Sequence, residues 1–256
     1  MDSAPALPPP PEGLPSEPSS LTDRLAGIIT SPGEVFEEIR NARVRASNWL
    51  VPLILVCIVT AVYMCVAMSQ PPVLRDMRDQ GHRAIEKKVA AGKVTQAQAD
   101  QYEAMQEKFM TPTVVKFFWS IFAVLLSLTM FFILVTAMWL ALKWFTSGWL
   151  GYMKMAEIYG LALVIYIPQE ILRIWLVLWK QNLLATASPT LFLSNPSTSN
   201  KLDTFLSFFD VVDFWWLAVL ALGVSKVASL SYRTAAFVVF GVWLTFRLVS
   251  MLLTPS

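Results

Sequence analysis

The sequence predicts an all-α polytopic membrane protein, a bundle of five transmembrane helices with a polar helical hairpin between spans one and two. Three observations lead there. Of the 256 residues, 55% are hydrophobic and only 15% charged, far from the average of soluble domains. The apolar residues fall in continuous runs long enough to cross roughly 30 Å of hydrocarbon, which takes about 20 helical residues. Those runs lack the alternation in ~10-residue segments that marks a membrane barrel.

Taken in order, MDSAPALPPPPEGLPSEPSS is proline-rich and acidic. It has too little apolar bulk to offset the entropy of ordering, so residues 1–20 read as a disordered tail. No basic leader with a short apolar core and cleavage site precedes span one, which is therefore expected to be retained as a signal anchor. Residues 21–47 read as amphipathic juxtamembrane helices. Ser31 is placed to cap, Pro32 suits the first helical position, and Glu34 completes a capping box. Val35, Phe36 and Ile39 share one face, and Leu25, Ile28 and Ile29 make a similar face upstream. The segment is expected on the membrane surface or docked on the bundle.

The membrane domain covers 48–256. Span one, Trp49 to Met68, carries no charge. Span two, Phe117 to Leu142, lies between Lys116 and Lys143 and is long enough to require tilt. Span three runs from about Ile158 to Trp179. Span four begins near Leu206, is cleanly apolar from Phe214 to Val224, and stops at Lys226. Span five runs from about Thr234 to Leu253. Between spans one and two, residues 69–113 predict a helical hairpin outside the bilayer. Leu74, Met77, Ile85 and Val89 recur at helical spacing, Gly92 marks a stop, and Thr95 to Gln98 is a second capping box ahead of Tyr102, Met105 and Phe109. The hairpin's mixed charges read as a solvated face. Counting Lys and Arg on the two sides does not fix which way the bundle faces.

Span three contains YIPQEILRIW, where Pro168 breaks the helix and Glu170 and Arg173 place charge in an apolar run. At about 1.5 Å per residue, Arg173 and Arg247 lie about 9 Å inside the ends of spans three and five, and Asp210 and Asp213 about 6 and 10 Å inside span four. Unpaired charge at that depth is expensive, so each side chain must face a partner or water. Glu170 and Arg173 share a helical face three residues apart. Asp210 and Asp213 share another and together invite Arg247. The expectation is an ionic cluster on spans three, four and five. It is either a polar lock between helices or a site for a proton, an ion or a lipid headgroup, with Pro168 freeing a backbone carbonyl.

Enzyme chemistry is not expected. There is no Gly-rich phosphate loop with Lys, and the single His82 has no Ser or Cys nucleophile beside it. Cys57 and Cys65 lie on one span, about 12 Å of rise apart, too far to bridge. A metal site is not expected with one His, and neither cofactor nor nucleic acid is implied. Trp49, Trp144, Trp149 and Trp179 fall near predicted interfaces, as an aromatic belt does.

TSPGEVFEEI before span one, GWLGYMK after span two, the proline-broken span three and FFDVVDFWWLAVLALG opening span four together resemble the Yip family of Ypt/Rab-interacting membrane proteins. Ser31 and Pro32 match the family's Ser-Pro before its amphipathic helix. Asp210, Trp215 and Gly223 match its Asp-x-Phe-x-x-Trp motif and later glycine, with Val212 in place of the usual Phe and Asp213 as an additional acid. The resemblance implies five spans, a cytoplasmic N-terminus and an outward C-terminus. It also implies a non-catalytic protein that organises membranes or binds proteins and lipids, in the bilayer and beside other membrane proteins. Eukaryotic members act with small GTPases. The tail and polar hairpin resemble bacterial members, which implies the bacterial inner membrane and a GTPase partner only for a eukaryotic-type chain. A small ion- or proton-linked transporter or channel using the buried charges is the alternative.

Overall fold

The computed structural model describes residues 19–109, 111–146, 150–194, 196–197 and 200–253. The expected tail falls outside them except for Ser19 and Ser20. Among the described residues there is no strand. The helices are α1 Leu21–Thr30, α2 Pro32–Asn41, α3 Ser47–Ala67, α4 Pro71–Ala90, α5 Gln96–Phe109, α6 Pro112–Lys143, α7 Tyr152–Ala162, α8 Tyr166–Lys180, α9 Lys201–Leu206, α10 Val211–Ala228 and α11 Tyr232–Leu253. A 3₁₀ turn, Leu163–Ile165, joins α7 to α8. Five stretches are long and apolar enough to cross a membrane: α3, most of α6, the α7–α8 pair, α10 and α11.

Two span boundaries differ from the sequence reading. The third span begins at Tyr152, not near Ile158, because Lys154 and Glu157 pair inside the bundle and so do not end the buried run. The fourth begins at Val211, not near Leu206. Asp210 caps it, and the residues before it form the separate α9. The break in span three follows from Pro168, whose missing N–H leaves the carbonyl four residues earlier, at Val164, without its helical donor. The 3₁₀ turn falls at that place.

The junction of α1 and α2 also differs from expectation. Ser31 makes no side-chain cap. Its backbone N–H already donates to Gly27 O at 2.7 Å, closing α1, so it is not free for the Glu34 carboxylate and the expected box cannot form. The box forms instead at Ser20 and Asp23, which exchange backbone-to-side-chain bonds of 3.2 Å in both directions. That bonding places Ser20 in the folded unit and shortens the expected tail. The second expected box, Thr95 with Gln98, is made reciprocally at 3.0 and 3.3 Å, and Gly92 follows α4 at φ +67°.

Helices α1 and α2 form an upright hairpin against the bundle. Gly27 lies against Val35, and Arg24 against Glu38, so the two helices run antiparallel from a tip at Ser31 and Pro32. Helix α2 then follows the last turns of α10. Phe36 sits on Gly223, Glu37 reaches Lys226 at 3.0 Å, and Arg40 donates to Ser229 Oγ at 2.7 Å. Ile28, Val35, Phe36 and Ile39 enter the main core, while Ile29 is 46% exposed and Arg24 is buried in its stead.

Elsewhere α3 is packed between α6 and the α7–α8 pair. Trp49 is half-buried and stacks on Phe131 at 5.7 Å, packed against the core. Trp144 and Trp179 are exposed, and Trp149 lies outside the described residues. Cys57 and Cys65 are both free. On the far side His82 Nδ1 meets Glu103 Oε1 at 3.1 Å and ties α4 to α5. Met68, Val73, Leu74 and Val115 hold that hairpin to the ends of α3 and α6.

Helices α7 and α3 meet closely at Gly160, where an added Cβ would stand 2.3 Å from the Trp49 Cα. That contact is with backbone, so a methyl group there forces α7 off α3. Gly160→Ala is expected to cost about 2–3 kcal/mol. Gly241→Ala, which meets nothing within 4 Å, is expected to be neutral or stabilising by ~0.5–1 kcal/mol. Unfolding of the purified protein in mixed micelles distinguishes the two.

Candidate functional site

Two buried polar layers cross the bundle, one at the start of α7 and one in the first half of α8, beyond the 3₁₀ turn. In the layer on α8, Arg173 Nη1 donates to Glu170 Oε1 at 2.9 Å. The Arg173 guanidinium lies over the Tyr63 ring at 4.4 Å and donates to the Tyr63 hydroxyl at 3.4 Å. Arg247 Nη2 donates to Asp213 Oδ2 at 2.5 Å, joining α11 to α10. Gln169 Nε2 donates to the other Asp213 oxygen at 3.3 Å, joining α8 to both. Asp210 caps α10 by accepting from Val212 N at 2.9 Å.

Within the expected group of five charges the direct contacts are two ion pairs and a cap, with Gln169 linking α8 to the Asp213–Arg247 pair. Asp213 alone takes Arg247. Asp210 sits at the start of α10, not about one turn inside a longer span, and its carboxylate is used by the backbone there. Glu170, Asp210 and Asp213 are all buried. Gln169 and Tyr63, absent from the sequence reading, provide the links between helices. Gln169 is the neighbour of Glu170 and, at one residue's remove, faces α10, while Glu170 pairs on its own helix. Nothing in the sequence around Tyr63 signals its role.

The second layer was not anticipated. Glu157 is 0% exposed and accepts from Asn48 Nδ2 at 2.6 Å, Lys154 Nζ at 2.7 Å and the Arg45 backbone N–H at 3.3 Å. Lys154 Nζ also donates to Ile39 O and Ala42 O, at the end of α2. Asn48 Oδ1 accepts from Arg24 Nη1 at 3.3 Å, and Arg24 Nη2 donates to Glu38 Oε1 at 2.7 Å. One chain of bonds thus ties α1, α2, α3 and α7. Its signal in the sequence is the Lys154/Glu157 pair, three residues apart and just ahead of the expected start of span three.

Burial pushes the Glu38 carboxyl up, but the hydrogen bonds from Arg24 and Ser19 and the Arg24 charge outweigh it and hold the group below its ordinary value. The hydrogen bond and charge of Lys226 hold Glu37 down as well. Of the positions shared with the resembled family, Ser31 and Pro32 form the tip of the α1–α2 hairpin, and Gly223 makes room for Phe36. Trp215 turns outward, and its neighbour Trp216 is packed between Tyr159 and Tyr166. Among the described residues no three His, Cys, Asp or Glu side chains gather as a metal site would need. Gly148 and Trp149 lie outside the described residues.

The family model of the Yip1 domain matches residues 26–254, from α1 to the end of α11. No curated protein and no solved structure matches the chain.

Removing one partner of a buried ion pair strands the other. Arg247→Leu is therefore expected to destabilise by about 3–5 kcal/mol, with most of that loss returned when Asp213→Leu is added. Equal losses in the single and double variants, read from unfolding in mixed micelles, contradict the pairing. For Glu38 the folded pKa lies below the unfolded one, so its stabilisation is present above the unfolded value and is lost as pH falls through the folded value. Hydrogen-exchange protection of α1 and α2 is expected to drop below about pH 4. In Glu38→Gln protection is expected to be lower already at pH 7 and to fall less at low pH, by the part that Glu37 still contributes.

Proposed function

Because this chain belongs to the Yip1-domain family, we propose that it is a non-catalytic, multi-pass membrane protein that organises its membrane by binding other membrane proteins and lipids. In this reading the N-terminus lies in the cytoplasm and the C-terminus outside, at the inner membrane of a bacterium. The single observation that supports this reading over ion- or proton-linked transport is the pairing of the buried charges. Lys154 with Glu157 and Arg173 with Glu170 are paired on their own helices and Arg247 with Asp213 across two, and the further bonds of Lys154 and Glu157 to α2 and α3, of Arg173 to Tyr63 and of Asp213 to Gln169 run between helices, as a lock between helices requires. The upright α1–α2 hairpin, held by Arg24 and Glu38, presents the exposed Asp23, Glu34, Glu37 and Arg40 beside the bundle, a polar face suited to a protein partner.

Cross-linking in native membranes followed by purification tests the reading. A reproducible set of co-purifying membrane proteins or lipids is expected. Recovery of the chain alone with bulk lipid contradicts it.

A further inference from the structure

Helix α1 is amphipathic in the wrong sense for water. Its arginine, Arg24, is 2% exposed, while Ile29 is 46% exposed. Ala26 and Thr30 are exposed with Ile29, and the Thr30 hydroxyl is turned back onto Ala26 O at 3.4 Å. Hydrocarbon favours such an arrangement, because there a charge must turn inward to its partners and an apolar side chain is free to face out.

The depth of the hairpin follows from what it touches. Arg40 stands beside Ser229, the residue that ends α10, so the base of α2 is level with the end of that span. Gly33 lies against Leu222 and Phe36 against Gly223, so from its base α2 runs back along α10. Helix α10 has 18 residues, about 27 Å of rise, against a hydrocarbon core of about 30 Å. It has no turn to spare outside the membrane, and the stretch beside α2 lies within it. Pro32 is eight residues from Arg40, about 12 Å deeper. A second route gives a similar depth. Helix α1 touches the 3₁₀ turn, which begins at Leu163, 11 residues past the start of span three at Tyr152 and so about 16 Å in. The tip reaches about the middle of the core.

The tip is also built for a place without water, where backbone polar groups must be satisfied from within. Ser31 N–H donates to Gly27 O at 2.7 Å, and Ser31 O accepts from Glu34 N at 3.1 Å and Val35 N at 3.5 Å. Pro32, at the first position of α2, has no N–H to satisfy. Residues 25–36 carry a single charge, Glu34. It lies in the first turn of α2, where the positive end of the helix favours a carboxylate.

We propose that α1 and α2 form a re-entrant hairpin that enters one leaflet beside α10, turns at Ser31 near mid-membrane, and presents Ala26, Ile29 and Thr30 to the acyl chains of that leaflet. Asp23, Glu37 and Arg40 stay near its base. This contact with lipid holds whichever membrane proteins the chain binds.

Nitroxide labels on the full-length protein in phosphatidylcholine vesicles test the depth, with Cys57→Ala and Cys65→Ala as background and Asp23→Cys, Ala26→Cys or Ile29→Cys as the labelled position. Oxygen, which concentrates in hydrocarbon, is expected to relax the label at position 29 faster than a water-soluble nickel chelate does, and the order is expected to reverse at position 23. Position 26 is expected to fall between them. Nickel relaxing the label faster than oxygen at 26 and 29, or no gradient along the three, overturns the proposal. A charge placed on the outer face gives a second readout. Ile29→Lys is expected to lower hydrogen-exchange protection of α1 and α2 in the same vesicles about tenfold, since the ammonium enters hydrocarbon. Thr22→Lys, near the base, is expected to leave it unchanged. Equal protection in the two variants also overturns the proposal, because an exposed isoleucine in water tolerates lysine.

Discussion

A charge in hydrocarbon must find its partner inside the protein, because no water is there to take it. That constraint organises the whole bundle. The α7–α8 pair carries buried charge at two levels, Glu157 near its start and Glu170 beyond the 3₁₀ turn, and each level is where other helices are tied in. At the first, Glu157 and Lys154 collect α3 and the end of α2 through Asn48 and two backbone carbonyls. At the second, Gln169 and Asp213 collect α10 and α11, and Arg173 reaches α3 through Tyr63. Apolar packing cannot choose among helix arrangements when lipid is as apolar as the side chains; hydrogen-bonded charge can.

Between the two layers the helices close on small residues. Gly160 admits the Trp49 backbone, and Gly223 admits the Phe36 ring. The second contact connects the membrane spans to the α1–α2 hairpin, and Glu37 with Lys226 extends the same seam toward the membrane surface. The hairpin is thus part of the bundle's packing, held by one buried arginine and one apolar stripe. Pro168 supplies the remaining irregularity. The 3₁₀ turn it imposes lies among fully packed side chains, where neighbouring helices shield the altered backbone from lipid.

The five spans were legible because long apolar runs have few other uses. The Glu170–Arg173 pair was legible from its spacing on one helix face, and Asp213 with Arg247 from their common depth. What was not legible depends on tertiary approach. Glu157, Arg24 and Asn48 lie far apart in the sequence, and only the folded hairpin brings them into one bonded chain. Asp210 resembled a second membrane acid because the start of α10 was placed too early, and its work as a cap became visible once the helix boundary was known. Ser31 failed as a side-chain cap for a local reason, since one residue ends α1 and begins α2 at once.

The same pairing bears on function. A bundle that pairs its own buried charges is suited to presenting fixed surfaces to proteins and lipids. The most direct measurement is the nitrogen-to-carboxyl dipolar coupling between labelled Arg247 and Asp213, recorded by solid-state NMR in lipid bilayers. The account predicts a coupling set by a direct hydrogen bond, consistent with the 2.5 Å contact. A coupling too weak for contact, with the Arg247 guanidinium exchanging freely with water, would contradict it.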